Sequence, residues 1–175
     1  MEENIMSLIK NISDKDSCFL RGKLFSQLFG TSIEVWIEKS VPLEYAEKCA
    51  EHFTNLSDSF VDDFCERAIK YYEFMREEWE EYGIFDDIVD EMEQTMPEKI
   101  VGRDILKYIS SPNMFIFTPE KDVAGYNIEC NCVWEPEHGL DWIIRGDKTL
   151  YVGQAEGLGA WADDEEYESI FDDEE

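Results

Sequence analysis

Positive charge is scarce in this sequence: 15 Lys and Arg stand against 42 Asp and Glu, a net charge of −27 over 175 residues. Phosphate backbones and anionic bilayers are gripped by Lys and Arg that displace counterions, so nucleic acid and membrane are excluded as partners. Long apolar runs are lacking too, and nothing approaches the ~18 residues of a membrane-spanning helix. The opening MEENIMSLIKNISDKDS begins with acids and has no continuous apolar stretch of the kind a signal peptide carries. The five cysteines are odd in number and have no framework spacing, which argues against a disulfide-stapled secreted domain and for a reducing cytoplasm. Histidine occurs twice, as His52 and His138. Serine-hydrolase elbows, phosphate-binding glycine loops and dinucleotide fingerprints are missing, and no cofactor is implied.

What is present is a folding chain. Aromatic residues make up 14% and apolar residues 43%, enough for a real core, since disordered chains are poor in both. One domain over residues 1–160 is expected, followed by an acidic tail over 161–175. The acids are concentrated in two places. Residues 77–98 hold ten and no base, residues 154–175 hold another ten and no base, and the remaining 131 residues carry all 15 bases and a net charge of −7. Two strongly anionic segments on an ordinary domain suit a basic partner, divalent cations or simple solubility.

Alternation of apolar and polar residues predicts a strand over 17–29 and a second over 32–40, where Ile33, Val35 and Ile37 share one face, with Gly30-Thr31 as the hairpin turn. Trp36 falls on the other face and is expected to pack against another element. Pro42 opens a helix, because a missing N–H costs nothing in the first turn. Asn55–Asp58 interrupts it and caps a longer helix over 58–82, whose apolar stripe runs from Phe60 and Phe64 to Trp79 and Tyr82 and must be covered by a sheet. Gly83 ends it. A short acidic amphipathic segment follows over 84–96, then a helical turn or two over 103–110. From 113 onward four strands (113–118, 126–134, 140–145 and 149–153) with short links predict an antiparallel meander. The expected fold is α+β: an antiparallel sheet from an N-terminal hairpin and a C-terminal meander, with the long helix across one face. The pattern leaves open whether the two strand sets join. In the tail, Tyr167, Ile170 and Phe171 are expected to make a docking turn.

Several strings bear on chemistry. Asp86, Asp87 and Asp90 form a D-D-x-x-D string of the type that holds magnesium in isoprenoid enzymes, but in so acidic a chain a solvated helix face is the stronger reading. Cys130, Cys132 and His138 form C-x-C-x5-H, a zinc-like pattern. Residues 128, 130, 132 and 134 share one face of a strand, however, so buried core cysteines are preferred over zinc. The most distinctive string is Trp134-Glu135-Pro136-Glu137-His138-Gly139-Leu140. Pro136 and Gly139 set a chain reversal, Trp134 and Leu140 close its base, and Glu137 and His138 sit at the tip. A rigidifying clamp is the preferred role for that tip. An acid/base pair or a ligand pair stays open.

The stretch IECNCVWEPEHGLDWIIRGDKTLYVG, together with PLEYAEKCAEHFTNLSDSFVDDFCERAIKYY, resembles a family of uncharacterised bacterial domains of unknown function with a W-x-x-E-H-G-L signature, over roughly residues 20–153. The resemblance implies a link to polymorphic toxin systems, near which some relatives are encoded and whose immunity proteins are small and acidic. Only Trp134, Glu137, His138, Gly139 and Leu140 carry over as motif positions, with no assigned role.

The function expected is therefore that of a non-enzymatic acidic binding protein, most concretely a toxin-neutralising immunity protein recognising a basic partner through complementary charge. The candidate contact residues are Glu77, Glu78, Glu80, Glu81, Asp86, Asp87, Asp90 and Glu91 in the first acidic segment, and Trp161, Asp163, Asp164, Glu165, Glu166 and Tyr167 in the second. Trp161 and Tyr167 are expected to be exposed aromatic anchors there. The alternatives are a metal-dependent or acid/base hydrolase using Glu137 and His138, and an acidic scaffold.

Overall fold

A computed structural model describes residues 7–91 and 96–167, apart from the side chain of Glu91. Ile170 and Phe171, assigned above to a docking turn, and the end of the 84–96 segment lie outside the described residues, as does the Glu91 side chain. The chain forms β1 (Lys10–Ser13), β2 (Phe19–Ser26), β3 (Thr31–Glu38), α1 (Leu43–Thr54), α2 (Asp58–Glu81) and α3 (Phe85–Glu91). A 3-10 helix over Gly102–Tyr108 then leads into β4 (Ile109–Ile116), β5 (Gly125–Cys132), β6 (Leu140–Arg145) and β7 (Lys148–Gly153), and a last 3-10 turn covers Asp164–Tyr167.

All seven strands join one sheet in the order β1-β2-β3-β4-β5-β6-β7. The α+β architecture read from the pattern is the one observed, and the open question about the two strand sets is answered by the pairing of β3 with β4. That pair is parallel, while every other pair is antiparallel. A parallel neighbour needs a long crossover, and the whole helical segment between Glu38 and Ile109 supplies it. β1 is an edge strand that the alternation did not announce. Its four residues KNIS are polar but for Ile12, and Asn11 interrupts them with a φ of 56°.

The helices cover one face. Ser57 caps α2, its Oγ accepting from the Phe60 N–H at 3.2 Å. The helix ends as Gly83 predicts: φ is +72°, Ile84 N–H bonds back to the Trp79 carbonyl at 2.9 Å and Gly83 N–H to Glu80 at 3.2 Å. The core between these layers is aromatic. Phe64 of α2 stacks on Trp142 of β6 with centroids 3.8 Å apart, and Phe53 of α1 meets Tyr126 and Trp142 edge-on. Val35, Ile37, Met114, Ile116 and Ile128 close it from the sheet side.

The opposite face follows from strand alternation. Register places Arg21, Trp36, Phe115, Asn127, Ile143 and Tyr151 side by side across β2 to β7. Trp36 packs on its own sheet neighbours: Phe115 stacks on it at 5.5 Å and the Arg21 guanidinium lies 3.8 Å above its ring. Over β6 and β7 the segment after Gly153 folds back, so that Ala160 and Tyr167 bury Ile143 and Tyr151 in a second small cluster. Among the described residues no helix is long and apolar enough to cross a membrane.

Candidate functional site

The two features that stood apart in the sequence, the first acidic segment and the Trp134–Leu140 string, meet in space. α2 buries Tyr71 and Tyr72 against Trp134, ring centroids 5.5 and 5.8 Å apart and edge-on. Tyr71 Oη also donates to the Gly139 carbonyl at 2.8 Å. Gly139 has φ +67°, and a Cβ there would stand 2.3 Å from the Cys130 carbonyl oxygen. Only glycine fits such a position. Trp134, Gly139 and Leu140 are therefore packing residues: the first is 1% exposed, and Leu140 is fully buried.

The tip is arranged around Glu135, which the signature string treats as a variable position. Its Oε1 accepts from the backbone N–H groups of Glu137, at 3.1 Å, and His138, at 3.3 Å. Its Oε2 lies 3.4 Å from His138 Nδ1. Glu137 and His138 themselves are exposed. The donor atoms of Glu135, Glu137 and His138 all lie within 4.8 Å of one another, and among the described residues this is the group able to hold a metal ion. Cys130 and Cys132 do not join it. Both are buried, and burial pushes the Cys132 thiol up to about 12 and the Cys130 thiol well above its usual range, with Cys132 beside it adding to the shift. They are core residues, as strand alternation suggested.

Beside this loop is a pocket of about 190 Å³ lined by Met75 and Trp79 of α2, Ile88 of α3, and Trp134, Pro136 and Glu137. The same two helices carry the acids of the first segment. Glu77, Glu80, Glu81, Asp86, Asp87 and Asp90 are exposed and Glu78 is half-buried. Among the described residues Glu80 alone of these has an ion pair, with Arg76 at 3.6 Å. The others have no cationic partner among the described residues. Tyr82 is 70% exposed and Ile84 40%, so the acidic end also presents apolar surface.

The second acidic segment is elsewhere. Trp161 packs on Gly125, at the start of β5, and Asp164 pairs with Arg145 at 3.0 Å. The Trp134–Gly139 loop lies at the other end of that strand, about 23 Å away at ~3.3 Å per residue. Tyr167 is not an exposed anchor: it is 5% exposed, donates to the Gly159 carbonyl and accepts from the Ala162 N–H at 2.9 Å. Trp161 is half-buried. The Tyr167 hydroxyl closes the segment on itself, while packing on Ile143 and Tyr151 and the Arg145 bond to the Ala160 carbonyl hold it on the sheet. Asp163, Asp164, Glu165 and Glu166 remain exposed around it.

One feature gave no signal in the sequence. A cleft of about 790 Å³ opens between α1 and the loops before β5 and β7, lined by Glu44, Glu51, His52, Phe60, Asp122 and Asp147. His52 is built into its wall, with Nδ1 2.8 Å from Tyr126 Oη. Burial lowers its pKa, against a bond to the Gly146 carbonyl and the charge of Asp147. Through Tyr126 the imidazole ties α1 to β5.

With these sites in view, the chain can be placed among known proteins. It belongs to the family described as Domain of unknown function (DUF6985), which matches residues 8–159. No curated protein and no solved structure matches it.

Proposed function

We propose that this protein is a non-enzymatic acidic binding protein whose α2–α3 end docks a basic protein, in the manner of a toxin-neutralising immunity protein of bacteria. The observation that carries the reading is the run of Glu77, Glu78, Glu81, Asp86, Asp87 and Asp90 along α2 and α3, all without a counter-charge among the described residues, in the same stretch as the exposed apolar side chains of Tyr82 and Ile84. Such an arrangement suits a Lys or Arg of the partner, whose stem packs on apolar surface while its head meets carboxylates. Tyr82 and Ile84 supply the exposed apolar contacts that interface cores use. Complementary charge speeds encounter and discriminates among partners. The resemblance to domains encoded near toxin systems supports the same class of partner. Because the two acidic segments lie at opposite ends of β5, the proposal places recognition at the α2–α3 end alone.

The hydrolase reading finds less support. The His138 side chain is 48% exposed and its partner is Glu135 of its own loop. His52, the other imidazole, is held by Tyr126. Neither has a Ser, Thr or Cys side chain in hydrogen-bond reach among the described residues.

The test is capture of partners from lysate at low salt with the tagged protein, repeated with two variants. One carries Gln or Asn at the six unpaired acids of α2 and α3; the other carries them at 163–166. A basic partner that is held by wild type and by the second variant, released by added salt and lost with the first, is the expected result. Unchanged binding and salt dependence in the α2–α3 variant would refute the proposal.

A further inference from the structure

We infer that Glu135, Glu137 and His138 form a divalent transition-metal site at the tip of the β5–β6 loop, with zinc the best-matched ion. It is independent of the partner reading, since it rests on the loop rather than on the helix acids.

The spacing is the first argument. His138 Nδ1 and Glu135 Oε2 stand 3.4 Å apart. That is longer than the usual range of an N–H···O bond, so the pair is a poor hydrogen bond. It is the right separation for a shared ion: two ligands ~2.1 Å from zinc at the tetrahedral angle are about 3.4 Å from each other. Glu137 completes three donors within 4.8 Å. The fourth position faces solvent, since Glu137 and His138 are exposed.

Preorganisation is the second argument. The Glu135 carboxylate is oriented by two backbone N–H groups on Oε1, at 3.1 and 3.3 Å, which leaves Oε2 turned to the imidazole. Fixed outer contacts of this kind orient metal ligands. The loop itself is held by the Tyr71 bond to the Gly139 carbonyl at 2.8 Å and by the positive φ of Gly139. Three ligands in four consecutive residues, anchored at one end to the core, lose little entropy when an ion arrives.

The donor set chooses the ion. One imidazole with two carboxylates is softer than the all-oxygen shells of calcium and magnesium and harder than thiolate sites, which suits zinc and its neighbours.

The experiment is a calorimetric titration of Zn²⁺ into the full chain in excess Mg²⁺, which occupies unspecific carboxylate clusters. Wild type should show one saturable site. His138→Gln should weaken it by at least about tenfold, and Glu137→Gln should weaken it as well. Cys18→Ser removes the exposed thiol and should leave the site intact. Both His138 and Glu137 are exposed, so neither variant threatens the fold. No saturable site in wild type, an unchanged isotherm in His138→Gln, or loss only in Cys18→Ser would overturn the assignment.

Discussion

Asn127 and Asp141 share one hydrogen bond and are left with two unmatched oxygens. Asn127 Nδ2 donates to Asp141 Oδ1 at 3.0 Å, while Asn127 Oδ1 and Asp141 Oδ2 are buried without a partner. Two neighbouring acceptors with no donor are costly away from water. A proton on Asp141 Oδ2 turns one of them into a donor and lets acid and amide pair at both ends. Burial moves the Asp141 carboxyl in that direction, up to about 7 from 3.8, and the charge of Glu129 adds to the shift against the opposing bond from Asn127.

A pH dependence of stability follows. Between pH ~4 and ~7 the unfolded chain ionises Asp141 while the folded chain keeps it protonated, so the unfolded state holds fewer protons and stability falls as pH rises. The contribution is fully present below ~4 and is lost by ~7, on the order of 4 kcal/mol over about three pH units. Asp141→Asn supplies an N–H in place of the acid proton at every pH. Urea unfolding of wild type and variant from pH 4 to 8 should show wild type losing stability relative to Asp141→Asn across this range. Parallel pH curves would refute the assignment.

Gly139→Ala should destabilise the protein by at least ~2 kcal/mol, since a non-glycine residue at positive φ costs ~1–3 kcal/mol before any clash. The clash adds to this, because the new Cβ would meet the Cys130 carbonyl. Equilibrium urea unfolding measures it; a change under ~1 kcal/mol would show that the loop can shift away from β5.

Tyr71→Phe removes the donor to the Gly139 carbonyl and keeps the ring against Trp134. A loss of ~1–2 kcal/mol is expected, together with faster amide exchange at Glu137 and His138. Unchanged exchange at those two amides would show that the loop is held by its own contacts alone.

Phe64→Ala opens the stack on Trp142 at the centre of the core. A cost of ~3–5 kcal/mol is expected, as for other buried aromatics. Thermal unfolding followed by tryptophan fluorescence reports both the stability and the lost contact.

Thiol labelling separates the cysteines. Cys18 is exposed, whereas Cys49, Cys65, Cys130 and Cys132 are buried. Burial raises both Cys49 and Cys65 to about 11. Only thiolates react readily, so native protein should release one equivalent of colour from a disulfide reagent quickly and the remaining four only on unfolding. Rapid labelling of Cys130 or Cys132 would contradict their place in the core.

The elements were largely legible because each depends on local order. The alternation of Ile33, Val35 and Ile37 marked a strand with one buried face, and all three are buried. Ser57 and Gly83 bounded α2 through cap chemistry that needs only neighbouring residues. β1 was not legible. KNIS has no apolar alternation, and it is a strand because β2 offers an open edge.

The candidate site divides in the same way. Trp134, Gly139 and Leu140 stood out by residue type, and their burial follows from it. Glu135 did not, because its importance comes from two backbone N–H groups that only the folded turn aims at its carboxylate. In the sequence Tyr167 reads as an exposed anchor, because it stands among acids. It is buried because its ring packs with Ile143 and Tyr151 on the sheet, while its hydroxyl is satisfied by Gly159 and Ala162.

Charge, segment periodicity and turn chemistry were determined by the sequence itself, since each is a property of residues a few positions apart. Tertiary structure decided which of these segments meet. It paired β3 with β4, brought Met75, Trp79 and Ile88 of α2 and α3 to the Trp134 loop, and set the C-terminal acids at the far end of β5. The physical reason is that packing of aromatic faces between helix and sheet joins residues tens of positions apart. Nothing in the order of the chain records which faces will find each other.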